Sequence, residues 1–410
     1  MKNFLSKIDI VMLYYPLVML LYALTLLSRG VRPGVGAALL LFVIFALMIK
    51  RLYEKRGNIR AAVNTIDILA AIYFIYNLLS GIWCTGYGMP VSVWAGDFST
   101  GIATMVFYLA ARLSGEEEQD RFYKGFVISV CLIGLLGLLL YIWAPQFYLD
   151  YLFDYSYISK ADVSTMRIRM ISVIGSILMG FLSVTAMLAA SRFILKSRGK
   201  KGKLLFFAAL LFAFLSNQRS AMVLALLVLL YVNYLIFFTY GILPKKYFFA
   251  ECGIMAALFA GLAIVYFRAI MKVYYRLVSL PGAIGQRSDQ WIGAINNMNS
   301  LWLGNGLGAN GHRAALITEH LIADGGLAKL FVEMGVIGTS VFVYMMILCF
   351  KYGKKDFFSY APELGIIAAA LLSSIGSNTL QFQLATPVFF YAIGVVARGV
   401  RGRGSKETEQ

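Results

Sequence analysis

Apolar runs alternate with short polar connections twelve times along the chain. They cover Ile10–Leu27, Val35–Met48, Ala62–Trp83, Thr100–Leu113, Gly125–Trp143, Met170–Ala190, Leu204–Leu215, Ala221–Phe238, Phe248–Phe267, Leu327–Phe350, Leu364–Leu380 and Ala385–Val396. A hydrocarbon core about 30 Å thick takes roughly 17–25 residues of helix, and fewer where a helix is packed inside a bundle. The pattern therefore predicts an all-α polytopic membrane protein of about 12 spans, forming one membrane domain over residues 1–410. The second, fourth, seventh and twelfth runs are short and set the margin of that count at one or two.

Composition agrees: 60% of residues are hydrophobic, well above the roughly 45–50% of soluble domains. Lys2 and Lys7 lead into the first run with no small-residue cleavage site after it, so this run is read as a helix that stays. The four cysteines (Cys84, Cys131, Cys252, Cys349) are scattered through apolar sequence, which speaks against a disulfide framework or a zinc site. No metal or cofactor is expected.

Lys and Arg fall in alternate connections, as the positive-inside rule requires of real spans. Lys50, Arg51, Lys55, Arg56 and Arg60 form one group, Arg192 to Lys203 a second, Lys245 and Lys246 a third, and Lys351, Lys354 and Lys355 a fourth. The tail 399–410 extends the same face, so both termini are expected in the cytoplasm. This asymmetry and anionic lipid account for most of the net charge of +17. Nothing is left over to suggest nucleic acid. The acids Glu116–Glu118 and Asp120 read as a solvated turn on the same side.

Two extracytoplasmic connections are long, residues 144–169 and 268–326, and long loops are where function concentrates. The first sets Tyr148, Tyr151, Phe153, Tyr155 and Tyr157 among Asp150 and Asp154. It is either an interfacial aromatic belt or a sugar-contacting surface. The second reads as short helices at 274–280, 288–298 and 314–323, separated by the glycine-rich run Gly304 to Gly311. Gly306, Gly308 and Gly311 match a dinucleotide fingerprint by spacing, but no strand precedes them, and the match is rejected.

Basic residues on this outer face are mostly arginine: Arg29, Arg32, Arg167, Arg169, Arg219, Arg268, Arg276, Arg287 and Arg313. A guanidinium fork matches phosphate oxygens, so the bias points to an anionic ligand, with snorkelling to lipid phosphates as the plainer alternative. Arg219 stands out because Ser216-Asn217-Gln218-Arg219-Ser220 is a polar turn between two apolar runs, leaving a charge near membrane depth. Both histidines of the chain, His312 and His320, share one segment with Glu319 and Asp324. On a helix His320 and Asp324 would share a face, where the pair serves either a general base or, more commonly, a surface hydrogen bond. Lys329 and Glu333, also four apart, are read as neutralising one another inside a span.

Three landmarks in these loops resemble the bacterial O-antigen polymerase and O-antigen ligase superfamily. They are the Ser216–Ala221 turn, Arg287 followed by Trp291 and Leu301–Gly308, and Asp324-Gly325-Gly326-Leu327 followed by Glu333–Gly338. The likeness covers roughly residues 204–350. It departs from the ligase pattern at Asp324-Gly325, where ligases carry histidine and asparagine, and so favours a polymerase.

The resemblance implies a GT-C-like glycosyltransferase in the bacterial cytoplasmic membrane, active on its outer face. It implies metal-independent, inverting transfer between polyprenyl-pyrophosphate-linked oligosaccharides, yielding O-antigen, capsule or exopolysaccharide. A chain-length regulator and a flippase are implied as partners. Arg219 and Arg287 would hold the pyrophosphate, supported by Arg276 or Arg313. Asp324, or else His320, would take the acceptor proton. Trp291, Gly304, Gly306, Gly308, His312 and Glu319 would belong to the substrate loop. The rival readings are a ligase and, from another class, a flippase or other transporter, for which Asp67, Glu251 and Glu363 are the acids inside spans.

Overall fold

The structure, a computed structural model, describes residues 10–54, 63–155, 172–197, 200–249 and 280–400, together with positions 253, 271, 274, 275 and 278. Among these residues it is all-helical, and seven helices are long and apolar enough to cross a membrane. The helices are α1 (Ile10–Leu24), α2 (Pro33–Glu54), α3 (Thr65–Gly86), α4 (Val91–Thr100), α5 (Val106–Leu113), α6 (Glu116–Trp143) and α7 (Pro145–Asp154). They continue as α8 (Ser176–Ser197), α9 (Lys200–Leu215), α10 (Arg219–Tyr234), α11 (Leu280–Asn296), α12 (Gly326–Lys355), α13 (Phe357–Gly376) and α14 (Thr386–Gly399).

The run predicted at Phe248–Phe267 lies almost wholly outside the described residues, as do the tail beyond 400, Cys252, Glu251 and Arg276. Each of the other eleven runs is helical. The short ones have separate physical reasons. Every residue of α14 from Thr386 to Ala397 is buried, so this helix needs no membrane-length apolar surface of its own. At Gly394 it approaches α5 so closely that a β-carbon would strike the Tyr108 carbonyl. The fourth run is half of a longer helix: α4 leads through a 3-10 turn at Ile102–Met105 into α5. The run expected at Leu364–Leu380 ends at Gly376, and Thr379–Gln381 forms a separate 3-10 turn.

Side-chain contacts group the helix ends into two sets. Arg192 pairs with Glu363 and with Asp120 (2.7 Å), Lys196 with Asp120 (3.2 Å), and Asn64 donates to the Ala397 carbonyl (2.8 Å). These contacts join the ends that carry most of the basic residues, here called the basic end. Glu116–Glu118 form the first turn of α6 rather than a free turn, where negative charge suits the helix dipole and Glu118 caps the Gly115 amide at 2.8 Å. The opposite end is here called the loop end; between the two, Tyr14 and Tyr15 donate to the carbonyls of Gln383 (3.0 Å) and Leu384 (2.9 Å) and tie α1 to the start of α14.

The aromatic connection after α6 is also helical at its start, because Pro145 at the first turn needs no amide partner. Tyr148 and Tyr151 of this helix are buried, Tyr151 sharing a 2.7 Å hydrogen bond with Thr25. They belong to the core and cannot form the sugar-stacking surface considered from sequence. Phe153 remains exposed, Asp154 pairs with Arg29, and Tyr157, Arg167 and Arg169 lie outside the described residues.

Candidate functional site

The glycine run owes its composition to close packing. α12 is broken at Gly335, whose φ of 60° and ψ of −169° would strain any other residue. The break leaves four backbone groups without helical partners, and the segment 301–306 supplies them. Asn305 and Gly306 amides donate to the Val332 and Glu333 carbonyls (both 2.9 Å), while Val336 and Ile337 amides donate to Leu301 and Trp302 carbonyls (2.9 and 3.2 Å). The Tyr76 hydroxyl closes the joint on Leu303 and Met334 carbonyls, at 3.0 and 2.8 Å. Unpaired backbone at membrane depth is costly, so this docking is what makes the break tolerable.

Gly304, Gly306 and Gly308 are buried, and a β-carbon on Gly308 would lie 2.9 Å from the Val93 carbonyl. The three glycines therefore seat the loop against α3, α4 and α12. Their small size is accounted for by this packing.

Beneath this loop lies a charge cluster. Lys329 on α12 donates to Asp97 (2.8 Å), lies 3.3 Å from Glu333, and donates to Gln381. The Asn310 amide donates to Glu333 at 3.1 Å, and Arg313 reaches the other Asp97 oxygen at 3.3 Å. Lys329 and Glu333 are each 1% exposed and Arg313 is half exposed. Two cations face two carboxylates, so the charge cancels where it is buried. The neutralising role read for Lys329 and Glu333 fits this geometry, with Asp97 as a third member.

Asp97 was missed because the span beginning at Thr100 left it in a connection. The apolar sequence Val91–Phe98 on its N-terminal side, carrying a single acid, was the available signal.

A second polar pair faces outward. Arg287 on α11 meets Asp324 at 2.7 Å, both side chains one-third exposed, and the Trp291 indole donates to the Asp324 carbonyl at 2.7 Å. Gly325 has φ of 125° and lies under the Trp291 ring, where a β-carbon would collide with the indole. This is a physical reason for glycine after Asp324.

The expected helix at 314–323 is absent. Only His312–Ala314 forms a 3-10 turn, and the chain then follows tertiary bonds: Asn310 donates to the His320 carbonyl (2.8 Å), and the Ile322 amide to the Asn310 carbonyl (3.0 Å). His320 and Asp324 do not share a helix face, and the carboxylate partner is Arg287 instead. His312 and Glu319 are exposed and His320 is half buried. In the helix expected at 274–280 the described positions 274, 275, 278 and 280 are helical, and the helix expected at 288–298 runs instead from Leu280 to Asn296.

Arg219 is the first residue of α10. Asn217 takes the left-handed conformation at φ 51°, which asparagine tolerates, and this ends α9 and starts α10 within three residues. Gln218 donates to Ser176, locking the turn. Among the described residues Arg219 has no ion-pair partner. Tyr231 of α10 donates to the Ala361 carbonyl (2.8 Å), so α10 and α13 run antiparallel and Arg219 stands at the end where α13 finishes. There Gly376 approaches Arg287, the would-be β-carbon being 3.6 Å from Nη1. Arg219, Arg287 and Arg313 thus share the loop end with Asp324.

Among the described residues no group of three or more His, Cys, Asp or Glu side chains is arranged to hold a metal ion. Compared with protein-family models and with curated proteins, the chain finds no match.

Proposed function

We propose that this chain is a membrane glycosyltransferase that polymerises polyprenyl-pyrophosphate-linked oligosaccharide units at the outer face of the cytoplasmic membrane. About twelve spans with both termini inside would put the loop end on that face. The observation that carries the reading is the Arg287–Asp324 pair, 2.7 Å apart and open to solvent, with Trp291 locking the Asp324 backbone.

A pyrophosphate leaving group accumulates negative charge as the glycosidic bond to it breaks, and guanidinium forks from Arg287 and Arg219 meet that charge. Phosphate oxygens compete with Asp324 for Arg287. Donor binding would thereby release the carboxylate to accept the proton of the attacking sugar hydroxyl. The test is a polysaccharide gel from cells lacking the protein, complemented with wild type or Arg287→Ala. Single repeat units in place of a ladder support polymerisation, whereas polymer retained on the polyprenyl carrier means a ligase.

One observation favours transport: the Asp97–Lys329–Glu333 cluster sits between two interrupted helices, the arrangement transporters use for coupling sites. Flux of a labelled lipid-linked oligosaccharide through proteoliposomes, lost in Glu333→Gln, would move the assignment there.

A further inference from the structure

The charge at the basic end has a feature the loop-end chemistry does not use. α2 and α3 are the least enclosed of the seven long helices, with 22% and 28% of their apolar windows buried against 39% or more for the others. Between them and the α4–α5 pair runs a groove of about 990 Å³, walled by Phe42, Phe45, Ile72, Phe74, Ile75 and Leu109. An occupant of a groove this size gains dispersion contacts along its whole lining.

The charged groups on its wall are confined to the basic end: Asp67, Arg112 and Arg398. Arg112 grips Asp67 with a two-point fork at 2.6 and 2.5 Å, and Tyr108 donates to the same carboxylate. That pair is internally neutral. Arg398 donates to the neutral Ser114 carbonyl and, among the described residues, is in no ion pair. It also lines a second, polar cavity of about 700 Å³, with Glu116 and Asp356 on the far wall, so the charged end of the apolar groove opens onto polar space.

We infer that this groove holds one two-chain phospholipid, its tails between α2, α3 and α5 and its singly anionic headgroup at Arg398. The depth selects the occupant. From Asp67 to Ile75 along α3 is about 12 Å at 1.5 Å per residue, close to one leaflet of a core about 30 Å thick. A glycerophospholipid tail fits one leaflet, and a long polyprenyl tail exceeds it. The site lies at the end of the bundle opposite Arg287 and does not depend on the reaction proposed there.

The test uses the full chain, delipidated in detergent and titrated with phosphatidylglycerol, phosphatidylcholine or a long-chain polyprenyl phosphate, with retained lipid counted by native mass spectrometry. The expected result is one phosphatidylglycerol held at least about fivefold more tightly than phosphatidylcholine, the effect of one basic group on an anionic lipid. Arg398→Gln removes that preference, and Ala71→Phe, which fills the groove, prevents retention of either phospholipid. Equal retention of the two phospholipids by the wild type, or stronger retention of the polyprenyl phosphate, overturns the proposal without recourse to any variant.

Discussion

Arg287 and Asp324 are separated by 37 positions in sequence yet meet at 2.7 Å. Under the proposed chemistry Arg287→Ala lowers polymer formation by about 10²–10³-fold, the usual cost of one electrostatic donor to a developing charge. Arg287→Lys recovers little of it, because an ammonium cannot reproduce the fork. Asp324→Asn keeps the hydrogen-bonding shape and loses the base, a fall of about 10²–10⁴-fold. Rates from a membrane assay with lipid-linked donor check all three, and an Asp324→Asn protein of normal rate would return the base to His320 or another group. Lys329→Met leaves Glu333 buried without a cation and Asp97 with only the half-exposed Arg313. It is expected to destabilise the fold by about 3–5 kcal/mol, read as a lowered midpoint of thermal unfolding in detergent.

Two elements carry the site by being interrupted. α12 breaks at Gly335 and the α4–α5 helix at the 3-10 turn after Gly101, and the charge cluster and docked glycine loop lie between them. Gly335→Ala puts a β-carbon against the Trp302 carbonyl at a positive φ, adding strain of about 1–3 kcal/mol before any clash is counted. Faster proteolysis within residues 301–311 should accompany it, since the docking segment loses its partner. The i, i+4 spacing of Lys329 and Glu333 was legible because it is local to one helix turn. The break at Gly335 was not, since a glycine inside an apolar run reads as continuous helix until the segment that satisfies its backbone is known. Residues 314–323 failed in the opposite sense: local composition permits a helix, and bonds to Asn310 override it.

The whole molecule is a bundle with two chemically different ends. If the loop end faces outward, cysteine at Leu316, which is fully exposed, labels with a membrane-impermeant maleimide in intact cells. Cysteine at Lys354, at the basic end, labels only after permeabilisation. The reverse pattern would invert the topology and remove the outer-face chemistry with it.

Residue order alone makes the chain helical and apolar enough for a membrane, and fixes which connections carry the positive charge. Those properties depend on residue type and on spacing within one helix. It also marked Arg219, Arg287 and Asp324 as residues to watch. The meeting of Asp97 with Lys329, of Asp324 with Arg287 rather than His320, and the seating of the glycine run against α3, α4 and α12 were set by tertiary packing. Helices apolar on nearly every face do not encode which face meets which neighbour. That choice is made by small residues, interrupted backbones and a few buried charges acting across hundreds of positions.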